Sequence, residues 1–340
     1  MREYIVENKD FGQRFDKYVA RLIPNAPTSF LYKMFRKKNI TLNGKKAIGN
    51  ERLSQGDIVR LFLADDTIDS FVNAAKDSVR KGKDDCNNAM IKSYNFPNGI
   101  LYEDDNILLY NKPEGLLSQK ADRDDISVNE LLLDYLNESG QINPDSLKMY
   151  TPSVVNRLDR NTSGIIICAK NYASANELSY AIKEKTLKKY YICVVSGDFP
   201  KDAEYKDYLI KNSSSNIVRI SDKHTEGSTL IHTLYNRIDG GQGISLVEAM
   251  LYTGKSHQIR SQLSYHGFPL IGDYKYGIKT INDKYNKMYG IKSQMLFSYR
   301  VVMPHFDGIL TYLSDRDFSL PLPTEFKEIM NFGDMEQQRT

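Results

Sequence analysis

Cysteine is scarce. Cys86, Cys168 and Cys193 are the only three in 340 residues, and no two form a CxxC pair. Neither a disulfide framework nor a structural zinc site is expected, and the chain reads as cytosolic, with a cytoplasmic location. Long apolar runs are missing too. The longest are Gly164-Ile-Ile-Ile-Cys-Ala169 and Tyr190-Tyr-Ile-Cys-Val-Val195. A spanning helix needs ~20 apolar residues, so no membrane partner is expected. The opening Met1-Arg-Glu-Tyr-Ile-Val-Glu-Asn-Lys-Asp10 carries charge throughout and has no apolar signal core, so export is not expected. The five histidines lack metal-ligand spacing. Internal repeats and low-complexity tracts are absent.

What remains is globular: 41% of residues are hydrophobic and 26% charged. At ~100–200 residues per domain, the length suits two domains, or a large one with a small companion. Charge separates the two. The net +3 divides into 13 Lys+Arg against 6 Asp+Glu over residues 1–63, and 33 against 37 over the rest. A small basic unit on a slightly acidic body suggests electrostatic docking, most simply onto nucleic acid. A Lys-rich solvated face explains the same charges equally well.

Phe15, Tyr18, Val19 and Leu22 recur at helical spacing. Pro24-Asn-Ala-Pro-Thr28 breaks the pattern, and Thr28 or Ser29 can cap a second helix presenting Leu31, Met34 and Phe35 inward. Lys33, Arg36, Lys37 and Lys38 lie on or just past its other face. A short strand at 40–42, the turn signal Asn43-Gly44 followed by Lys45 and Lys46, and a strand at 57–63 complete the unit. Residues 64–98 read as a polar linker with one weak helix around 68–79. Beyond Gly99, strands are expected at 107–111, 164–169, 190–195, 217–220, 245–251 and 299–303, with helices at 128–138 and 173–183. That pattern predicts an α+β body on a mixed, largely antiparallel sheet, spanning 99–330, with a tail at 331–340.

The strongest local signal is Asn156-Arg-Leu-Asp-Arg-Asn-Thr-Ser-Gly164, running straight into the apolar strand. It places an aspartate, Asp159, between Arg157 and Arg160 in a loop. Read locally, a loop ion pair followed by an Asn-Thr-Ser-Gly turn is the stronger explanation. Three further segments alter that balance: Asn111-Lys-Pro-Glu-Gly-Leu116, Lys188-Lys-Tyr-Tyr-Ile-Cys-Val-Val195, and Leu251-Tyr-Thr-Gly-Lys-Ser-His-Gln-Ile-Arg260 leading to Ile271-Gly-Asp273 and Tyr276-Gly277.

With Arg157-Leu158-Asp159, these segments resemble, in order, the motifs of the Rlu-type pseudouridine synthases, over about 99–323. The front unit, through Arg14-Phe-Asp16, Arg36-Lys-Lys-Asn-Ile-Thr-Leu-Asn-Gly44 and Leu53-Ser-Gln-Gly-Asp-Ile-Val59, resembles the α-L RNA-binding domain named after small-subunit ribosomal protein S-four. The resemblance implies an isomerase that detaches uracil from ribose, rotates it and rejoins it through a ring carbon. The reaction is redox-neutral, so no cofactor and no metal are expected. Asp159 matches the essential aspartate, as nucleophile at the anomeric carbon or as base towards a glycal. Either role needs an ionised carboxylate, the ordinary state of an aspartate of pKa ~3.9 at neutral pH. Arg260 matches the cation that aims it, Tyr191 the ring that stacks on the extracted base, and Arg157 and Leu158 support the site. Lys33, Arg36, Lys37, Lys38, Lys45 and Lys46 would contact RNA. The branch most resembled acts on large-subunit ribosomal RNA and is usually monomeric.

Asn156, Gln262, Phe268 and Phe297 stand where the family often has His, at positions expected around the mouth of the site. Lys112, Pro113 and Gly115 are expected to support the rim. His257 is expected to be hydrogen-bonded scaffold, and Asp273 to cap a turn. The same chemistry on transfer RNA, a non-catalytic ribosome assembly factor, and a metal-dependent nuclease using Asp159, Asp273 and His257 are the competing readings.

Overall fold

The computed structural model describes residues 1–73, 94–122, 124–211 and 217–337. Cys86 and much of the expected linker lie outside them. The small unit begins with a strand, Arg2–Ile5, that its charged sequence does not suggest. Helices Phe15–Leu22 and Thr28–Arg36 follow. Thr28 is the first helical residue rather than a cap; Pro27 holds the cap position without a side-chain hydrogen bond. A hairpin of Ile40–Leu42 and Lys45–Lys46 turns at Asn43 and Gly44, both with positive φ (51° and 72°). Left-handed residues at both turn positions match the right-handed strand twist. Ile58–Leu61 lies between Arg2–Ile5 and Ile40–Leu42, giving a four-stranded sheet.

The polar stretch starting at 64 is not all linker. Asp65–Asn73 is helical, and Ile68 is fully buried in the core of the small unit with Phe15, Phe35 and Leu61. Its charged first turn hides this from composition. That core therefore extends past residue 63.

The body carries one eleven-stranded sheet. Its main path runs Val218–Ser221, Asp202–Lys211, Thr229–Gly241, Ile244–Leu251, Lys188–Ser196, Leu296–Val302, Ser163–Ala169, Ile107–Lys112, Ile100–Glu103. Every neighbouring pair is antiparallel except Ser163–Ala169 beside Leu296–Val302. The fold is thus the expected mixed, largely antiparallel α+β type. Strand periodicity explains its layers. Ile166 and Cys168 join one core, with Leu108, Tyr110, Tyr191, Val247 and helix Val128–Glu138. Ile165, Ile167 and Ala169 face the opposite side, against helix Tyr172–Lys183. Each such fully buried aliphatic side chain contributes roughly 1.5–3 kcal/mol. The first of these cores also holds Leu158, Ile259 and Leu263. The loop bearing Asp159 and the helix bearing Arg260 thus pack on the same face as Tyr191. The final helix, Thr324–Gln337, runs through the boundary expected at 330.

Among the described residues, no helix is long and apolar enough to cross a membrane. Cys168 and Cys193 are buried free thiols.

Candidate active site

Asp159 sits between strand Ser153–Val154 and strand Ser163–Ala169. Its loop is braced by side chains from elsewhere. The Ser118 hydroxyl donates to Leu158 O and accepts from Leu158 N, both at 2.9 Å. The Lys112 ammonium is fully buried and donates to Arg160 O (2.9 Å), Pro113 O (2.9 Å) and Leu116 O (2.7 Å). Burial pushes it down to about 7, with the nearby Asp159 charge opposing. Gly115 N–H also donates to Arg160 O (3.0 Å). The rim-support role expected for Lys112 and Gly115 is therefore a specific one: they hold the Asp159 loop.

Gly164 closes the same loop. Its φ is +108°, and a Cβ there would lie 2.2 Å from Ser298 O on the parallel neighbour strand. Only glycine allows that approach.

The cation of Asp159 is neither sequence neighbour. Arg157 and Arg160 are exposed, and Arg160 approaches Asp125 (3.6 Å). Arg260 Nη1 instead donates to Asp159 Oδ2 at 2.9 Å. Its other edge grips Asp273, Nε to Oδ2 at 2.7 Å and Nη2 to Oδ1 at 2.9 Å. A planar fork suits such two-point contact. Asp273 is buried and also accepts from the N–H groups of Lys275 (2.9 Å) and Tyr276 (3.1 Å), so it caps a turn as expected. Burial would raise its carboxyl, but Arg260 and these N–H groups outweigh that and hold it below the ordinary value. For Arg260, burial opposes the charge, and the two carboxylates still raise its pKa. The guanidinium fills the space between Asp159 and Asp273. A metal bridging them has no room, which argues against the nuclease reading.

Tyr191 is buried on Lys188–Ser196, with its ring at the wall of the site. Burial pushes its hydroxyl up to about 12, so it stays protonated. His257 precedes helix Gln258–Tyr265 in a left-handed conformation, φ 56°, and its Nδ1 meets Tyr276 Oη at 2.8 Å. Burial lowers its pKa, favouring the neutral ring. It is the hydrogen-bonded scaffold expected.

These groups line a cavity of about 1080 Å³. Asp159 is the only carboxylate among the described lining residues, facing cations that include Arg157, Lys183, Lys185, Lys211, Lys255 and Lys275. The surplus of positive charge suits a polyanion. Of the four residues replacing a usual His, only Asn156 lines the cavity. Gln262 is buried and bonds Thr233, Tyr235 and Asp207, Phe268 packs on Phe199, and Phe297 packs towards Phe326. The expectation that all four surround the mouth is corrected: Gln262 and Phe297 are buried, and Phe268 packs partly buried against the core. The six N-terminal basic residues are all exposed and none lines the cavity. The sequence reading did not include Ser118, and it gave Asp273 no part in holding Arg260. Both act through three-dimensional contacts that no local pattern announces.

A profile of the RNA pseudouridylate synthase family matches residues 106–265. "Ribosomal large subunit pseudouridine synthase C" of Rickettsia bellii is 33% identical over 287 residues, 82% of this chain and 86% of the relative. The protein of that name from Vibrio cholerae is 29% identical, over 86% of each chain. The solved structure "Human RNA Pseudouridylate Synthase Domain Containing 4" superposes with a TM-score of 0.58 at 18% identity, over 73% of this chain and 97% of that one, a likeness of fold. With the sheet, the two-carboxylate clamp on Arg260 and these matches together, the chain belongs to the RNA pseudouridylate synthase family, whose members isomerise uridine to pseudouridine.

Proposed function

We propose that this enzyme isomerises specific uridines of large-subunit ribosomal RNA, with Asp159 as its essential carboxylate. The observation that carries the site assignment is Arg260 holding Asp159 at 2.9 Å in a cavity where no other described carboxylate is exposed to substrate. Asp159 then attacks or deprotonates the ribose of an extracted uridine. Tyr191 offers the base a surface while it turns; such stacking is worth about 1–3 kcal/mol, which offsets part of the extraction. Arg157, exposed at the cavity wall beside buried Leu158, is free to meet the neighbouring RNA. The small unit docks structured RNA through Lys33, Arg36, Lys37, Lys38, Lys45 and Lys46. Phosphate contacts of this kind position without specifying. The large-subunit target is supported by the names of the relatives from Rickettsia bellii and Vibrio cholerae.

The test is a map of pseudouridines across ribosomal and transfer RNA in three strains: wild type, gene deletion, and the deletion complemented with Asp159→Ala. Specific large-subunit sites should vanish in the deletion and stay absent in the complemented strain. Loss confined to transfer RNA would overturn the substrate. Restoration by Asp159→Ala would overturn the residue.

A further inference from the structure

Lys189 has no part in the mechanism above, yet its surroundings are unusual. It lies two residues before Tyr191 on Lys188–Ser196, and both line the cavity. Residues i and i+2 of a strand share a face and stand about 6.6 Å apart. The Lys189 side chain is half-buried, and a Cβ built at Gly254 would sit 3.3 Å from its Nζ. The ammonium is therefore tucked against the loop carrying Thr253 and Lys255. Among the described residues no carboxylate or carbonyl accepts from it. Burial lowers its pKa, and no neighbouring charge compensates. Withdrawing a cation from water without a counter-charge is costly. Lys112, the fully buried lysine nearby, is satisfied by three carbonyls. Among the described residues Lys189 has no such partner, and it borders the cavity, where an anionic group of the substrate can reach it.

We infer that Lys189 Nζ binds a phosphodiester of the RNA, at or next to the nucleotide whose base lies on Tyr191. A nucleotide places its charged phosphate about two strand steps from its base, the spacing at which Lys189 and Tyr191 stand. Lys183, Lys185, Lys211 and Lys255 line the same cavity, so further phosphates of the strand meet cations there as well. This rests on the RNA-isomerase reading and deepens it: Lys189 positions the extracted nucleotide by its backbone, and Tyr191 meets it by its base.

The experiment uses the full chain and a short RNA containing the mapped uridine. The slope of log affinity against log salt should fall by about 0.7, one single-strand phosphate contact, in Lys189→Met and be restored in Lys189→Arg. Neutral methylphosphonate linkages are also placed singly around the target. One linkage flanking the uridine should weaken wild-type binding about tenfold or more, and that penalty should disappear in Lys189→Met. If no flanking linkage matters to the wild type, the inference is overturned, even should Lys189→Met fail to fold. An unchanged salt slope in a folded Lys189→Met protein overturns it equally. If the wild type forms no pseudouridine on any RNA, the isomerase reading itself fails and takes this one with it.

Discussion

At the scale of single residues, Arg260 is held from both sides, and the two grips are unequal. Asp159 takes one nitrogen of the guanidinium, while Asp273 takes two and is itself tied to the N–H groups of Lys275 and Tyr276. Asp273 therefore sets the angle from which Arg260 addresses Asp159. Asp273→Ala leaves a buried guanidinium with one partner; breaking such a pair costs about 3–5 kcal/mol, read by denaturant unfolding. Asp273→Asn gives the pH signature. Its folded-state pKa is depressed, so the carboxylate's contribution to stability is fully present above the unfolded value of ~3.9 and is lost as pH falls through the folded value. The stability gap between wild type and Asp273→Asn should be constant above about pH 5 and close progressively below about pH 4. Asp159→Asn should behave differently. At the reacting centre it should abolish turnover in a tritium-release assay on uridine-labelled RNA, with RNA affinity near wild type.

Elements are where the sequence speaks most clearly, and where its silences have physical reasons. Strands buried on both faces, such as Ser163–Ala169 and Lys188–Ser196, announce themselves as continuous apolar runs. The long strand Thr229–Gly241 does not, because much of it is exposed and it carries His232, Asn236, Arg237 and Asp239. Asp202–Lys211 alternates partly buried with exposed positions, but its charges mask the alternation. Helix Gln258–Tyr265 is missed for the opposite reason. Its polar residues Gln258, Arg260, Ser261 and Gln262 are buried, so no amphipathic stripe appears. Asp159, Arg260 and Tyr191 were legible only as motifs; that they meet depends on loop braces distant in sequence. Two substitutions test those braces. Gly164→Ala forces a Cβ against Ser298 O at a positive φ, and should destabilise the fold by about 2–4 kcal/mol in thermal or denaturant melts. Lys112→Met fills the same space but leaves the Pro113 and Leu116 carbonyls without a donor, at about 1–3 kcal/mol each for a buried acceptor in the unrelaxed limit, while Arg160 O keeps only the Gly115 N–H. It should lower kcat more than it weakens RNA binding, measured by single-turnover kinetics and filter binding.

Taken whole, the proposed function divides positioning from chemistry between two units that touch. The charge asymmetry between residues 1–63 and the rest is plain in composition, but the extent of the small unit is not, because the helix holding Ile68 begins with three polar residues. Arg21 bridges the parts: its guanidinium donates to Met149 O, bonds Gln13 Oε1 at 3.0 Å, and lies 5.6 Å from the centre of the Tyr172 ring. Tyr172 opens the helix Tyr172–Lys183, and Lys183, at its far end, lines the cavity. Helix Tyr172–Lys183 thus links the small unit's Arg21 to the cavity lining. Replacing Lys33, Arg36 and Lys37 together by Glu should weaken RNA binding and flatten its salt slope by about 2–3, with turnover at saturating RNA nearly unchanged. Equal loss in all salt conditions would refute a docking role for that face. The parallel pairing of Gly164 with Ser298 has one more consequence, in time rather than in space. The strand that fixes the Asp159 loop is encoded more than a hundred residues after it. During synthesis Ser118 and Lys112 can brace the loop early, but its contacts with Ser298 and Arg260 form only after those residues have left the exit tunnel. A half-made copy that ends before residue 189 therefore carries the basic residues of the small unit and Asp159, but neither Tyr191 nor Arg260 to complete the site.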